Sequence, residues 1–146
     1  MNIREFALTD YEAVIKVWGE AGLTLNPSDE LPRLIKKLER DPDLFLIAEE
    51  GGQIIAAVIG AWDGRVGWIY HLAVSPFVQH QGIGLQLMEE VEKRLRQRGA
   101  LEINLLVEGR NTQVVPFYQR LGFQIGNKVF MSKSLVDCQL PAAMRN

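Results

Sequence analysis

Cysteine is almost missing from this chain of 146 residues: Cys138 stands alone, so no disulfide can close within it. A reducing cytoplasm is therefore the expected compartment. Long apolar runs are missing too. None approaches the roughly 20 residues that span a bilayer, and no membrane is expected as a partner. The opening MNIREFALTD lacks the basic-then-apolar layout of a secretion signal. Nor is there a basic excess, since 16 Lys and Arg stand against 18 Asp and Glu for a formal net charge of −2. That balance excludes nucleic acid as a general partner, because too few counterions would be released on binding.

What is present is an ordinary globular composition, 47% hydrophobic and 23% charged, enough for one core in a chain this long. No repeat, linker or low-complexity tract divides it. Residues 1–135 are expected to form a single domain, and 136–146 a loose tail without periodicity. NIREFAL reads as a first strand. Thr9 to Glu12 (TDYE) fits a capping box, after which Val14, Val17 and Trp18 carry helical spacing up to Gly22. A second helix is expected after Ser28, with Leu31, Leu34, Ile35 and Leu38 on one face, Pro32 in its first turn, and Asp41 to Asp43 as its break.

Three strands follow, LFLIAEE, QIIAAVIGAW and RVGWIYHLAV, turning at Gly51-Gly52 and Asp63-Gly64. A helix from about Gly84 to Arg98 then puts Ile83, Leu87, Met88, Val91 and Leu95 on one face. Its outer face pairs Glu89 with Lys93, Glu90 with Arg94 and Glu92 with Arg96. LEINLLV is the next strand. Asn111 is placed to cap a short helix that holds Pro116 and ends at Gly122, and FQIGNKVFMSKSL supplies one or two last strands. The order β-α-α-β-β-β-α-β-α-β(β) specifies an α/β fold, a mixed sheet with helices on both faces.

Chemistry enters where VSPFVQHQGIG joins a strand to the long helix. A helix N-terminus offers up to four free N–H donors and about half a positive charge, which suits phosphate. Gly82 and Gly84 let a ligand approach that backbone, although they could equally just make a tight turn. No Walker Lys-Ser/Thr follows them and no third glycine falls near Met88, so neither nucleotide fingerprint fits. The hexapeptide Gln79-His80-Gln81-Gly82-Ile83-Gly84, preceded by Leu72-Ala73-Val74, instead resembles the acetyl-CoA-binding signature Gln/Arg-x-x-Gly-x-Gly/Ala of the GCN5-related N-acetyltransferases. Asn111, Tyr118 and Leu121-Gly122-Phe123 match that family's second motif in order and spacing, so the resemblance covers nearly the whole chain.

The resemblance implies a GNAT-like acyl-CoA N-acyltransferase fold, with acetyl-CoA as co-substrate and no metal. The reaction it implies is transfer of the acetyl group to a primary amine, on a small molecule or a protein, by direct attack in a ternary complex. It makes Gln79 to Leu85 the cofactor loop, with the amides of His80, Gln81, Gly82, Ile83, Gly84 and Leu85 receiving the pyrophosphate. The backbone of Leu72, Ala73 and Val74 would pair with the pantetheine arm like an added strand and offer an N–H to the thioester oxygen. That strand would splay from LEINLLV to leave a cleft. Asn111 would contact the cofactor arm; plain helix capping is its other reading.

Transfer to an amine needs a neutral nucleophile, a stabilised oxyanion and a protonated leaving thiolate. A lysine-like amine starts near pKa ~10.4, so a base or a dry site must help remove its proton. By resemblance Tyr118 protonates the departing sulfur, a role open to a phenol with pKa ~10. Its other reading, by spacing with Val114 and Leu121, is a core residue. Some family members carry a glutamate base five residues before the motif Asn, where this chain has Leu106. Glu108 and His71 are the candidate bases here; their other readings are a solvated loop charge and a satisfied core histidine. A water chain, or an amine that arrives neutral, would need neither. Many relatives have Arg and Gly where this chain has Gln79 and His80, so backbone amides and the helix dipole are left to hold the phosphates.

The acceptor side is expected from the first two helices, their connection AGLTLNPSDE, and the hairpin from Trp62 to Trp68. Asp29 and Glu30 make that connection acidic, which suits a cationic amine or merely the start of a helix. Trp62 and Trp68 are a candidate cross-strand pair. The alternative class is a catalytically silent module that binds acyl-CoA as a sensor. By family analogy an edge strand could also join two copies into a homodimer.

Overall fold

The computed structural model describes residues 1–136; Cys138 and the remainder of the expected tail lie outside the described residues. The chain divides into two compact units, Met1–Thr112 and one that begins at Gln113.

In the first unit five strands lie side by side in chain order: β1 (Asn2–Glu5), β2 (Phe45–Glu50), β3 (Gln53–Trp62), β4 (Gly67–Val74) and β5 (Ile103–Leu105). Neighbours from β1 to β4 pair antiparallel, and β5 runs parallel to β4. A parallel pair needs a long crossover, here the helix Ile83–Arg98. At the β2–β3 turn Gly51 and Gly52 have φ of 59° and 79°, the left-handed pair that a two-residue hairpin demands. At the next turn Asp63 Oδ1 accepts the N–H groups of Arg65 (2.8 Å) and Val66 (2.9 Å).

Side chains alternate across the sheet. Phe45, Ile47, Ala57, Ile59 and Ala73 face the helices α1 (Tyr11–Glu20) and α2 (Leu31–Arg40), whose Val14, Val17, Trp18 and Leu34 bury against them. The other face packs on α3 (Ile83–Arg98). All five residues expected on the apolar face of α3 are buried, and Gly99 ends it at φ 99°. Of the outer pairs, Glu90–Arg94 (3.0 Å) and Glu92–Arg96 (3.5 Å) form, while Glu89 and Lys93 make no ion pair among the described residues.

The contact between α3 and the sheet is close. A Cβ built on Gly60 would lie 2.6 Å from Val91 Cγ2 and 3.2 Å from the Leu44 carbonyl oxygen. Gly60→Ala is therefore expected to cost about 1–3 kcal/mol through overpacking, read as a lower urea midpoint. An unchanged midpoint would mean that α3 lifts freely from the sheet.

Several local expectations are corrected. The capping box expected at Thr9 does not form: α1 begins at Tyr11 with no side-chain cap, and the Asp10 carboxylate closes the preceding turn Leu8–Asp10 by accepting the Ala7 N–H (2.8 Å) while it also accepts from Arg4 Nη1 and Nη2 (2.8 and 2.9 Å). The Arg4 bonds hold that carboxyl below the usual carboxylate range. Trp62 and Trp68 do not face each other, because the register sets Trp62 opposite Gly67 and Trp68 opposite Ala61. Trp68 stacks with Tyr70 instead, ring centroids 6.4 Å apart at 16°.

The second unit contains α4 (Val115–Arg120). Its N-cap is Val114, not Asn111, which sits earlier in the chain at φ −114°, ψ 34°, outside helical geometry. Pro116 falls in the first turn, where a missing N–H is harmless, so it does not kink the helix. The last strands expected in FQIGNKVFMSKSL do not form, since 123–136 takes neither helix nor strand. Alternating apolar residues make a strand only when a neighbouring edge accepts their backbone. Phe123 N–H bonds the Tyr118 carbonyl (3.1 Å), beyond it the stretch joins no strand among the described residues, and Ile125, Val129, Phe130 and Met131 are left exposed.

Candidate functional site

The turn from β4 into α3 is pinned at its start. Ser75 N–H bonds the Ile55 carbonyl (2.7 Å), and Gln79 Nε2 donates back to the Val74 carbonyl (3.1 Å). His80 (φ 67°) and Gly82 (φ 78°) are then left-handed on either side of Gln81. Such alternation turns successive N–H groups toward one concave point, a backbone nest for an anion. The first bond of α3 runs from Gln86 N–H to the Gly82 carbonyl (3.1 Å). It leaves the N–H groups of Ile83, Gly84 and Leu85 without a helical acceptor. No side chain caps this end, and its first turn carries no acid. Free donors, a positive dipole end and no competing carboxylate together fit a phosphate group.

Just before this turn β4 leaves its neighbour. The β4–β5 ladder pairs Gly67 with Ile103, Trp68 with Asn104 and Ile69 with Leu105, then stops, although β4 continues to Val74. From Tyr70 to Val74 the β5-facing edge has no strand beside it among the described residues, because β5 ends at Leu105. On the other edge Tyr70 pairs with Ile59 and Ala73 with Ala57, so His71 and Leu72 together oppose Val58. That extra residue is a bulge, a device that re-aims side chains.

His71 occupies the bulge at φ 50°, uncommon for a residue with a side chain. Trp18 Nε1 donates to its carbonyl (3.1 Å), and the Trp18 indole lies against its ring at a 4.9 Å centroid distance. Its Nε2 is 2.8 and 2.9 Å from the two oxygens of Asp29, a residue only 5% exposed. Asp29 also accepts the Asn26 N–H (2.9 Å) in the turn Pro27–Asp29 that precedes α2. A carboxylate accepts, so a neutral imidazole in this contact carries its hydrogen on Nε2 and its lone pair on Nδ1. Nδ1 has no protein partner among the described residues, and none of their buried side-chain nitrogens goes unpaired. Nδ1 is therefore not fully buried. Sequence reasoning gave Trp18 only a place on a helix face and read Asp29 as suiting a cationic amine or the start of a helix; the 42 residues between Asp29 and His71 left no local signal of the pair.

The other candidates sit differently. Glu108 is exposed and ion-paired to Arg110 Nε (3.0 Å), and Arg110 also bonds Thr24. Leu106 is half exposed and offers no acid-base group. In the second unit, Tyr118 is half-buried between Phe117 and Phe123, whose rings meet it edge-on at 5.1 and 5.8 Å. Burial pushes its phenol up to about 12, so it stays protonated across the neutral range. No group of three His, Cys, Asp or Glu side chains among the described residues is placed to hold a metal ion. No described helix is long and apolar enough to cross a membrane.

A sequence model of the Acetyltransferase (GNAT) family matches residues 5–123. The chain belongs to the GNAT acetyltransferases. Acetyl-CoA is the donor of its acetyl group. The acetyltransferase is similar to one of Sodalis glossinidius, 36% identical over 140 residues that span 95% of this chain and 99% of the relative. It is as similar to one of Pectobacterium atrosepticum, 36% identical over 137 residues, 94% of this chain and 97% of the other. Among solved structures, Ard1 from Thermoplasma volcanium superposes with a TM-score of 0.77 at 22% identity, covering 86% of this chain and 84% of that one. The PaiA N-acetyltransferase of Thermoplasma acidophilum, solved in complex with coenzyme A, gives 0.76 at 23% identity, covering 88% and 92%. At these identities the structural likeness establishes the acetyltransferase's fold, a mixed five-stranded sheet with helices on both faces.

Proposed function

We propose that this acetyltransferase moves the acetyl group to a primary amine by direct attack in a ternary complex, with His71 as base and Tyr118 as acid. The reading rests on one stretch of backbone. From Tyr70 to Val74 the edge of β4 is unpaired; it begins at the bulge that carries His71 and leads into the anion nest. The amides from His80 to Leu85 hold the pyrophosphate. Leu72, Ala73 and Val74 receive the amide-bearing arm as an added strand, and one of their N–H groups steadies the oxyanion. His71 Nδ1 takes the amine proton as the new C–N bond forms, and Tyr118 gives its proton to the departing sulfur. Glu108 is set aside because Arg110 already occupies it. Asn111 keeps its assignment to the cofactor arm from the motif alone. A single acetyltransferase domain over 1–135 is part of this reading, and the family match over residues 5–123 supports it.

Trp68 and Tyr70 lie opposite Ala61 and Ile59, hence on the α1–α2 side of the sheet, and Tyr70 is exposed. Their stacked rings form a shelf for the carbon skeleton or the cation of the acceptor. Acetyl-CoA offered with spermidine, an aminoglycoside, glucosamine and a peptide with a free N-terminal alanine tests the reaction. Release of free thiol with an N-acetylated product is expected, and acetyl found on oxygen instead would overturn the amine assignment. With the fastest of these acceptors, Tyr118→Phe should lower kcat about 10²-fold at nearly constant KM for acetyl-CoA. An unchanged kcat would remove Tyr118 as the acid.

A further inference from the structure

We infer that Asp29 is a positioning residue for acetyl transfer, fixing the tautomer and the direction of the His71 ring. The inference rests on the assignment of His71 as base and adds a residue from the connection between α1 and α2. A buried carboxylate is unfavourable unless its oxygens are bonded. Closing the turn before α2 engages only Oδ2, through the Asn26 N–H, and an exposed aspartate could do the same. Burial of the whole carboxylate goes with its second task, in which both oxygens lie within 2.9 Å of His71 Nε2.

His71 is held more firmly than packing alone requires. Its left-handed backbone is bonded through the carbonyl to Trp18, its ring is backed by the indole, and one ring nitrogen is tied to Asp29. Strained residues persist where their surroundings over-determine them, and such places cluster at functional sites. The other tautomer would point a lone pair at the carboxylate and carry a hydrogen on Nδ1, unable to accept a proton. Asp29 excludes that form. Its negative charge also offsets the charge that the ring gains when the amine proton arrives on Nδ1. The same logic applies wherever a buried aspartate orients a catalytic imidazole.

Asp29→Asn reads this directly. The Asn26 N–H claims the amide oxygen, so the amide NH2 must face Nε2 and drives the hydrogen onto Nδ1. Nitrogen-15 NMR of the imidazole should show Nε2–H in the native protein and Nδ1–H in the variant. With the fastest amine of the panel above, kcat should fall about 10²-fold, while the acetyl-CoA Kd and the unfolding temperature stay close to native. A native protein already in the Nδ1–H form would overturn the inference without any variant. So would an Asp29→Asn enzyme that keeps native kcat. If His71→Asn also kept native kcat, the base assignment itself would fall; if only Asp29→Asn did, only the positioning role would.

Discussion

Replacing His71 by asparagine is expected to lower kcat about 10³-fold and leave acetyl-CoA binding nearly intact. Asparagine is the informative substitution because position 71 sits at φ 50°, a conformation that Asn adopts far more readily than Ala. The backbone of the bulge, with its carbonyl bonded to Trp18, can then persist while the ring nitrogen is lost. An amine must shed a proton as it attacks, and a positioned base is worth about 10²–10⁴-fold. Steady-state kinetics with the fastest amine separates the outcomes. A fall confined to kcat places the proton on His71, whereas a kcat within about threefold of native is too small for a lost base and returns that role to solvent.

Trp18→Ala is expected to cost about 3–5 kcal/mol, a large share of the roughly 5–15 kcal/mol that holds a domain together. The indole is fully buried, stacked on Phe45 at 6.0 Å and set against His71 at 4.9 Å. Removal leaves a cavity under the sheet and strips the His71 carbonyl of its donor. Trp18→Phe separates the two effects. It keeps most of the volume, so its stability loss should be closer to about 1–2 kcal/mol, the scale of one lost hydrogen bond. Its kcat should fall all the same, because the bulge loses a hold. Urea unfolding with parallel kinetics checks both; a Trp18→Phe enzyme with native kcat would show that the carbonyl bond does not position the base.

The frame of this fold is written locally. Gly51-Gly52 and Asp63-Gly64 mark hairpins because those turns require left-handed or side-chain-bonded residues, and the spacing of Ile83, Leu87, Val91 and Leu95 marks one face of α3. The anion nest is legible for the same reason, since its glycines and the helix start lie within six residues. What stays hidden is set by distance or by a competing partner. Asp29 meets His71 across 42 residues, and nothing near either announces the other. Thr9 resembles a cap, but Asp10 closes the turn before α1 and is bound by Arg4. Trp62 and Trp68 flank a turn symmetrically, but the β3–β4 register offsets them. The stretch 123–136 has the alternation of a strand but pairs with no strand among the described residues.

The mouth of α3 is the proposed seat of the acetyl-CoA pyrophosphate. Thermal unfolding with and without saturating acetyl-CoA, on the native protein and on Gly84→Asp, tests it most directly. An acid in the first turn of a helix favours the helix itself, so a variant that folds but does not bind is the expected product. At about 100 times Kd, acetyl-CoA should stabilise the native protein by roughly 2.7 kcal/mol, a rise of several degrees. That rise is expected for the native chain and is lost in Gly84→Asp; an equal rise in both would place the pyrophosphate elsewhere.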